Sequence, residues 1–311
     1  VACGFIPNRA LVLEALRDVI VHLVRNAVDH GIEAPDVRAA AGKAPEGNIT
    51  LRAEVAGGGL ELIRVLDDGT GMGREDLLLC LERHATSKIS VIEDLAALST
   101  LGFRGEALPS IASVSHLTLE SAPDESGAGF RVSAPGGKRG QAEPIAHPRG
   151  TSVTVRNLFF NTPARKKFLR SHATESGNIV DTTSRIALAH FDRRFALIVD
   201  GKTLLDLPPA QQRDERVRQI FGKQVWSQLL PFTRQRASHQ VAGFASMPEF
   251  TRSSSRDIRL YVNGRPVRDR GILAAVLQAY ATLLPRGRHP FVLLFLDWPP
   301  GQVDFNVHPS K

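Results

Sequence analysis

Asp67-Asp68-Gly69-Thr70-Gly71 closes the apolar run at residues 62–66, and the fold is read outward from it. A carboxylate at a strand end can offer a fixed acceptor to the amino group of a base. Gly69 and Gly71 leave the backbone room that a bound base needs. Taken alone, Asp-Gly is also ordinary turn chemistry. Three more loops tip the balance: Ala85-Thr86-Ser87-Lys88, Gly102-Phe103-Arg104-Gly105-Glu106-Ala107-Leu108 and Gly150-Thr151. Glycine-rich loops let backbone N–H groups approach phosphate oxygens. Gly102 and Gly105 suit a lid that folds over a triphosphate, with Arg104 either neutralising phosphate charge or pairing with Glu106. Upstream, Asn26 is a hard oxygen ligand suited to Mg²⁺, although a helical Asn is more often merely exposed. Together these are the parts of a nucleotide-triphosphate site that is not a P-loop, since G-x-x-x-x-G-K-[ST] does not occur.

Apolar spacing predicts a helix over residues 11–30, with Leu16, Val19, Ile20, Leu23, Val24, Ala27 and Val28 as its buried stripe. Asp18, His22, Asn26 and Asp29 then line one edge of that helix. Strands are expected at 48–55 and 60–66, joined by Gly57-Gly58-Gly59, and a helix at 74–83. Further strands are expected at 117–122, 130–134, 152–155 and 195–199, and a long helix at 175–189. A break is expected near Leu207-Pro208-Pro209. Beyond it come strands at 241–245 and 259–262, a helix at 272–284, and strands at 291–296 and 303–307. A strand, a helix and a returning strand make a crossover unit. The grouping of elements points to α+β layers.

Composition sets the limits. The 311 residues suffice for two domains. With 42% hydrophobic and 23% charged residues, a globular chain is expected. No apolar run approaches the roughly 20 residues that span a membrane, and no leader pattern opens the chain. Its start at Val1 suits a piece cut from a longer protein. Two cysteines, Cys3 and Cys80, argue against a disulfide framework, so a cytoplasmic setting is expected. The net charge of +7 suits weak nucleic-acid binding, or plain solubility.

Other residues admit two readings each. Lys311 follows the strand expected at 303–307. It is either a solvated terminus or a cation delivered to a γ-phosphate. Arg265, Arg268 and Arg270 lie on a turn and a helix start, where they either contact nucleic-acid phosphates or are simply solvated. His22 stands one turn before Asn26. It is either a structural histidine or a base beside the metal ligand.

From about residue 60 to Lys311 the chain resembles the N-terminal ATPase region of MutL mismatch-repair proteins. The strings at 62–72, 83–88, 101–108, 161–168, 261–270 and 302–311 match that family's pattern in order. The resemblance implies an α+β fold of the GHKL superfamily (gyrase, a heat-shock chaperone, histidine kinases and MutL). This is the Bergerat ATP-binding α/β sandwich over residues 1–206, followed by a ribosomal-S5-like βαβ domain over 207–311. The opening differs. Leu23-Val24-Arg25-Asn26-Ala27-Val28-Asp29-His30-Gly31-Ile32-Glu33, with residues 38–47, resembles the chemotaxis histidine kinase CheA. That implies a kinase-like segment of about residues 9–58 joined to a MutL-like remainder. Such a chain is either a recombined or engineered chimera or a divergent natural homologue.

Carried over by resemblance, Asn26 coordinates Mg²⁺, and Asp67, with Thr151 nearby, holds the adenine of ATP. Gly69 and Gly71 shape that pocket. Thr86, Ser87 and Lys88 join the nucleotide set, and Gly102, Arg104 and Gly105 belong to the lid. Lys311 meets the γ-phosphate, and Arg265, Arg268 and Arg270 face DNA, with Arg270 in contact. MutL proteins place a Glu one turn before the Asn to activate water, whereas His22 holds that place here. The expected function is an ATP-binding, slowly hydrolysing module. ATP would close its lid and favour a homodimer on DNA, held weakly and without sequence preference, alongside other mismatch-repair proteins. The alternatives are a protein-histidine kinase and a nucleotide-binding scaffold without catalysis.

Overall fold

The structure, a computed structural model, describes residues 9–56, 59–82, 107–167 and 171–303. The chain divides into two compact units. One is drawn from Val1–Thr183 and Asp192–Pro209, the other from Ser184–Phe191 and Ala210–Lys311.

The first unit opens with α1 (Arg9–Asn26). The seven-residue stripe read from spacing is buried, and the helix rests on β2 (Gly59–Asp67). Burying such side chains contributes roughly 1.5–3 kcal/mol each, which fixes this face against the sheet. The regular helix stops at Asn26, and residues Ala27–Gly31 form a π-turn. Ile32 N–H bonds to Ala27 O at 2.8 Å, five residues back. A short α2 (Pro35–Ala40) follows, opened by its proline.

β1 (Asn48–Ala56) and β2 pair antiparallel. The other strands are β3 (His116–Ala122), β4 (Ala128–Pro135), β5 (Glu143–Ala146), β6 (Gly150–Arg156), β7 (Arg194–Val199) and β8 (Lys202–Leu207). They form one sheet in the order β5-β4-β3-β6-β2-β1-β7-β8, in which β1 and β7 are the parallel pair. Along β3, Leu117, Leu119 and Ser121 are buried while Thr118 and Glu120 are partly exposed. Glu120 is bridged across the strands by Arg64 and Arg131. α3 (Arg74–Leu79) and α4 (Ala107–Ser113) also pack on this sheet. The result is an α/β sandwich. A short α5 (Pro163–Lys166) and the long α6 (His172–Ala189) complete the helices described up to that point.

The second unit holds α7 (Arg213–Trp226), β9 (Leu229–Arg236), β10 (His239–Ser246), β11 (Thr251–Arg252), β12 (Ile258–Val262), β13 (Arg265–Val267), α8 (Arg270–Ala279), β14 (His289–Pro290) and β15 (Val292–Asp297). Its main sheet runs β13-β12-β15-β10-β9. β12 and β15 are parallel and lie on either side of α8 in the chain, which is the strand–helix–strand crossover expected there. Ile272, Leu273, Val276 and Leu277 of α8 pack on Ile258, Leu260 and Val292. A second cluster gathers Val217, Phe244, Tyr261, Phe291 and Phe295.

Besides α1, two helices end short of expectation. α8 ends at Ala279 rather than 284, and the Tyr280 hydroxyl donates to Ser246 O at 2.7 Å. α3 ends at Leu79 rather than 83. The strand expected at 303–307 lies, beyond Val303, outside the described residues. Among the described residues no helix is long and apolar enough to cross a membrane.

Candidate nucleotide site

Asp67 is the last residue of β2, registered against Ile49 on β1 and Thr151 on β6. Its Oδ1 accepts from Gly69 N–H at 3.1 Å. Burial pushes its carboxyl up to about 7, against hydrogen bonds from the Gly69 and Thr151 backbone and the charge of Lys43. The neighbouring Asp68 charge adds to the rise.

Bare backbone crowds this carboxylate. A Cβ on Gly31 would come within 2.9 Å of Asp67 Oδ1, and one on Gly69 within 2.1 Å of Gly31 O. Gly71 sits at φ +70, and a Cβ there would meet Ala122 O at 1.8 Å. The approaches of Gly69 and Gly71 to backbone oxygens leave no space for a side chain. Thr151, buried on β6, has its Oγ1 3.0 Å from Ser121 Oγ. Ser121 Oγ donates to Gly150 O at 2.8 Å and accepts from Met72 N–H at 2.8 Å. Ser121 was not legible beforehand, because one serine in an alternating strand has no signal of its own.

Asn26 ends α1 and leads into the π-turn, which lies against β2 and β6. Gly31 O accepts from Thr70 N–H at 2.9 Å, so the turn after Asn26 and the turn after Asp67 are bonded together. His22, one helical turn earlier, reaches solvent. The protein mass around it and the Arg25 guanidinium nevertheless lower its pKa from the ordinary value, so the imidazole is neutral at neutral pH. Among the described residues no three His, Cys, Asp or Glu side chains gather to hold a metal. The side-chain amide oxygen of Asn26 is the kind of single hard donor that Mg²⁺ accepts beside phosphates and water.

Thr86, Ser87, Lys88, Gly102, Arg104, Gly105 and Lys311 lie outside the described residues. In the second unit, Arg265 is partly buried in β13. Arg268 and Arg270 are exposed on either side of Asp269, whose Oδ1 accepts from Ile272 N–H at 2.7 Å and caps α8.

Four charged residues had no assigned role and prove central. Arg38, 1% exposed, and Lys43 meet Glu33 and Asp68 beneath the acidic-glycine turn. A buried cation in a six-residue helix leaves no period to detect. The available signal was Glu33, Arg38 and Lys43 within one short segment lacking an apolar stripe.

The family described as "DNA mismatch repair protein, C-terminal domain" matches residues 217–311. Over 300 residues the chain is 45% identical to DNA mismatch repair protein MutL of Anaeromyxobacter dehalogenans (strain 2CP-C). That match covers 96% of this chain and 47% of the relative. The chain thus spans about half the length of the curated relatives it matches, and the likeness extends through most of residues 9–58. Among solved structures it is similar to the Aquifex aeolicus MutL ATPase domain complexed with ADP. The TM-score there is 0.61 at 24% identity, covering 91% of this chain and 92% of that one. It is also similar to the N-terminal domain of a DNA repair protein, with TM-score 0.75 at 22% identity, covering 97% and 90%. At those identities the likeness is one of fold.

Proposed function

The chain belongs to the MutL family of DNA mismatch repair proteins, and we propose that it is an ATP-binding module that hydrolyses ATP slowly and uses it to switch conformation. The observation that supports this most is Asp67: one partly buried carboxylate at a strand end, crowded by glycine backbone that leaves room for nothing larger. Such a carboxylate accepts a hydrogen bond from the adenine amino group, with Thr151 beside it. Asn26 supplies an amide oxygen to Mg²⁺. The bound ion neutralises phosphate charge. Thr86, Ser87, Lys88 and the lid residues Gly102, Arg104 and Gly105 surround the phosphates, and Lys311 meets the γ-phosphate. Nucleotide binding occupies residues 1–206, and residues 207–311 transmit it. ATP closes the lid and favours a homodimer that grips DNA through Arg265, Arg268 and Arg270, in the cytoplasm and with other mismatch-repair proteins.

The kinase-like opening belongs to the same proposal. Its join to the MutL-like remainder, at about residue 58, would fall between β1 and β2, which pair antiparallel. His22, in place of a glutamate, favours a second reading, a protein-histidine kinase. Radiolabelled ATP separates the cases. Slow release of inorganic phosphate is expected. Transfer of label to a protein histidine would establish the kinase, and neither outcome with intact binding would establish a scaffold.

A further inference from the structure

The segment between the π-turn and β1 lies under the acidic-glycine turn, and its two cations, Arg38 buried and Lys43 partly buried, use every side-chain donor they have. Arg38 Nε donates to Ala44 O at 2.9 Å. Its Nη1 donates to Glu33 Oε2 at 2.9 Å and to Asp68 O at 3.1 Å. Its Nη2 donates to Glu46 O at 3.1 Å and to Asp68 Oδ2 at 3.0 Å. A guanidinium has five N–H groups, and all are taken. Lys43 Nζ donates to Glu33 Oε1 at 2.8 Å, Asp68 O at 2.9 Å and Gly69 O at 2.7 Å, which uses all three of its own. Asp68 is held from the other side by Asn48, through its backbone N–H at 2.9 Å and its side-chain amide at 2.6 Å.

The consequence lies in two consecutive peptide planes. In a trans peptide the C=O and the following N–H point opposite ways. The first plane presents Asp68 O to Arg38 and Lys43, and its other edge, Gly69 N–H, to Asp67 Oδ1. The second presents Gly69 O to Lys43, and its other edge, Thr70 N–H, to Gly31 O. Fixing the carbonyls therefore fixes the N–H groups that orient Asp67 and lock its turn to the π-turn. Charge agrees with this geometry. Arg38 pairs with Glu33 and Asp68, Lys43 pairs with Glu33, and Arg149 lies 3.5 Å from Glu33.

We propose that Arg38 and Lys43 are positioning residues for base recognition, setting adenine selectivity from a segment that does not touch the nucleotide. The inference rests on the reading of Asp67 as the base carboxylate. The test is a double-mutant cycle on equilibrium binding of ATP and of ITP, whose base lacks the 6-amino group. Wild type is expected to prefer ATP, and Asp67→Asn to lower that preference about tenfold. Lys43→Met keeps the aliphatic stem and is expected to lower the ATP/ITP preference about fivefold with little change for ITP. The double variant is expected to be no worse than Asp67→Asn alone. Asp68→Asn, a milder change, is expected to lower the same ratio if Lys43→Met does not fold. A ratio unchanged in folded Lys43→Met or Asp68→Asn, with Asp67→Asn impaired, overturns the positioning role alone. An unchanged ratio in Asp67→Asn overturns the base-pocket reading and this inference with it. Additive losses in the double variant also overturn it, because they assign Lys43 a role independent of Asp67.

Discussion

At the scale of single residues, folding and binding make opposite demands on Asp67. The folded pKa, about 7, exceeds the ordinary 3.8 because burial disfavours the charge. By linkage its favourable contribution to stability is fully present below the unfolded pKa and is lost as pH rises through about 7. Binding demands the reverse, since the ionised carboxylate is the stronger acceptor. ATP affinity is therefore expected to rise with pH through about 7. The stability of Asp67→Asn relative to wild type is expected to rise over the same span. Thermal melts of both proteins from pH 4 to 8 check this, and a constant difference contradicts it. His22 gives a second prediction. Its pKa is lowered, so the ring stays neutral at pH 7 and can accept a proton. It offers a single acceptor nitrogen, on a shorter and stiffer side chain than glutamate's. General-base help is worth about 10²–10⁴-fold in rate. His22→Glu is expected to raise steady-state phosphate release without tightening ATP binding, whereas an unchanged or slower rate places the base elsewhere.

At the scale of elements, what the sequence discloses follows from which elements bury one face only. Period and alternation disclosed α1, β1, β2, β3, β6, β7 and the crossover around α8, because each hides one face and exposes the other. They did not disclose β5 and β9. Both are edge strands with largely exposed residues, so neither needs an apolar face. The π-turn escaped for another reason: one extra residue in a turn leaves the apolar stripe intact through Val28. Asp67 and its glycines were legible as a motif, but the Arg38–Lys43 support was not, because buried ionic contacts have no spacing rule. The close approach itself is testable. Gly69→Ala sets a Cβ 2.1 Å from Gly31 O, a backbone atom that cannot step aside. It is expected to weaken ATP binding more than Gly73→Ala, where nothing lies within 4 Å. Equal affinities in the two variants contradict a tight turn-to-turn contact. The lid proposed at 101–108 is expected to be protease-sensitive in the free protein and protected by a non-hydrolysable ATP analogue. Equal cleavage in both states counts against it.

At the scale of the whole molecule, the proposed contact with nucleic-acid phosphates rests on a net charge of +7 and on Arg268 and Arg270, exposed beside the α8 cap. Such contacts release counterions, so binding to duplex DNA is expected to be weak, indifferent to sequence and steeply lost with salt. Arg270→Glu is expected to reduce it while leaving ATP affinity unchanged. Salt-independent binding contradicts the phosphate-contact account. Nucleotide binding at Asp67 is the central proposal, and an equilibrium titration of ATP tests it most directly. It compares wild type with Asp67→Asn, with and without Mg²⁺, at pH 8. The account predicts saturable binding by wild type, weakened when Mg²⁺ is chelated, and a loss of about tenfold in Asp67→Asn. Equal ATP affinity in wild type and a folded Asp67→Asn would contradict it.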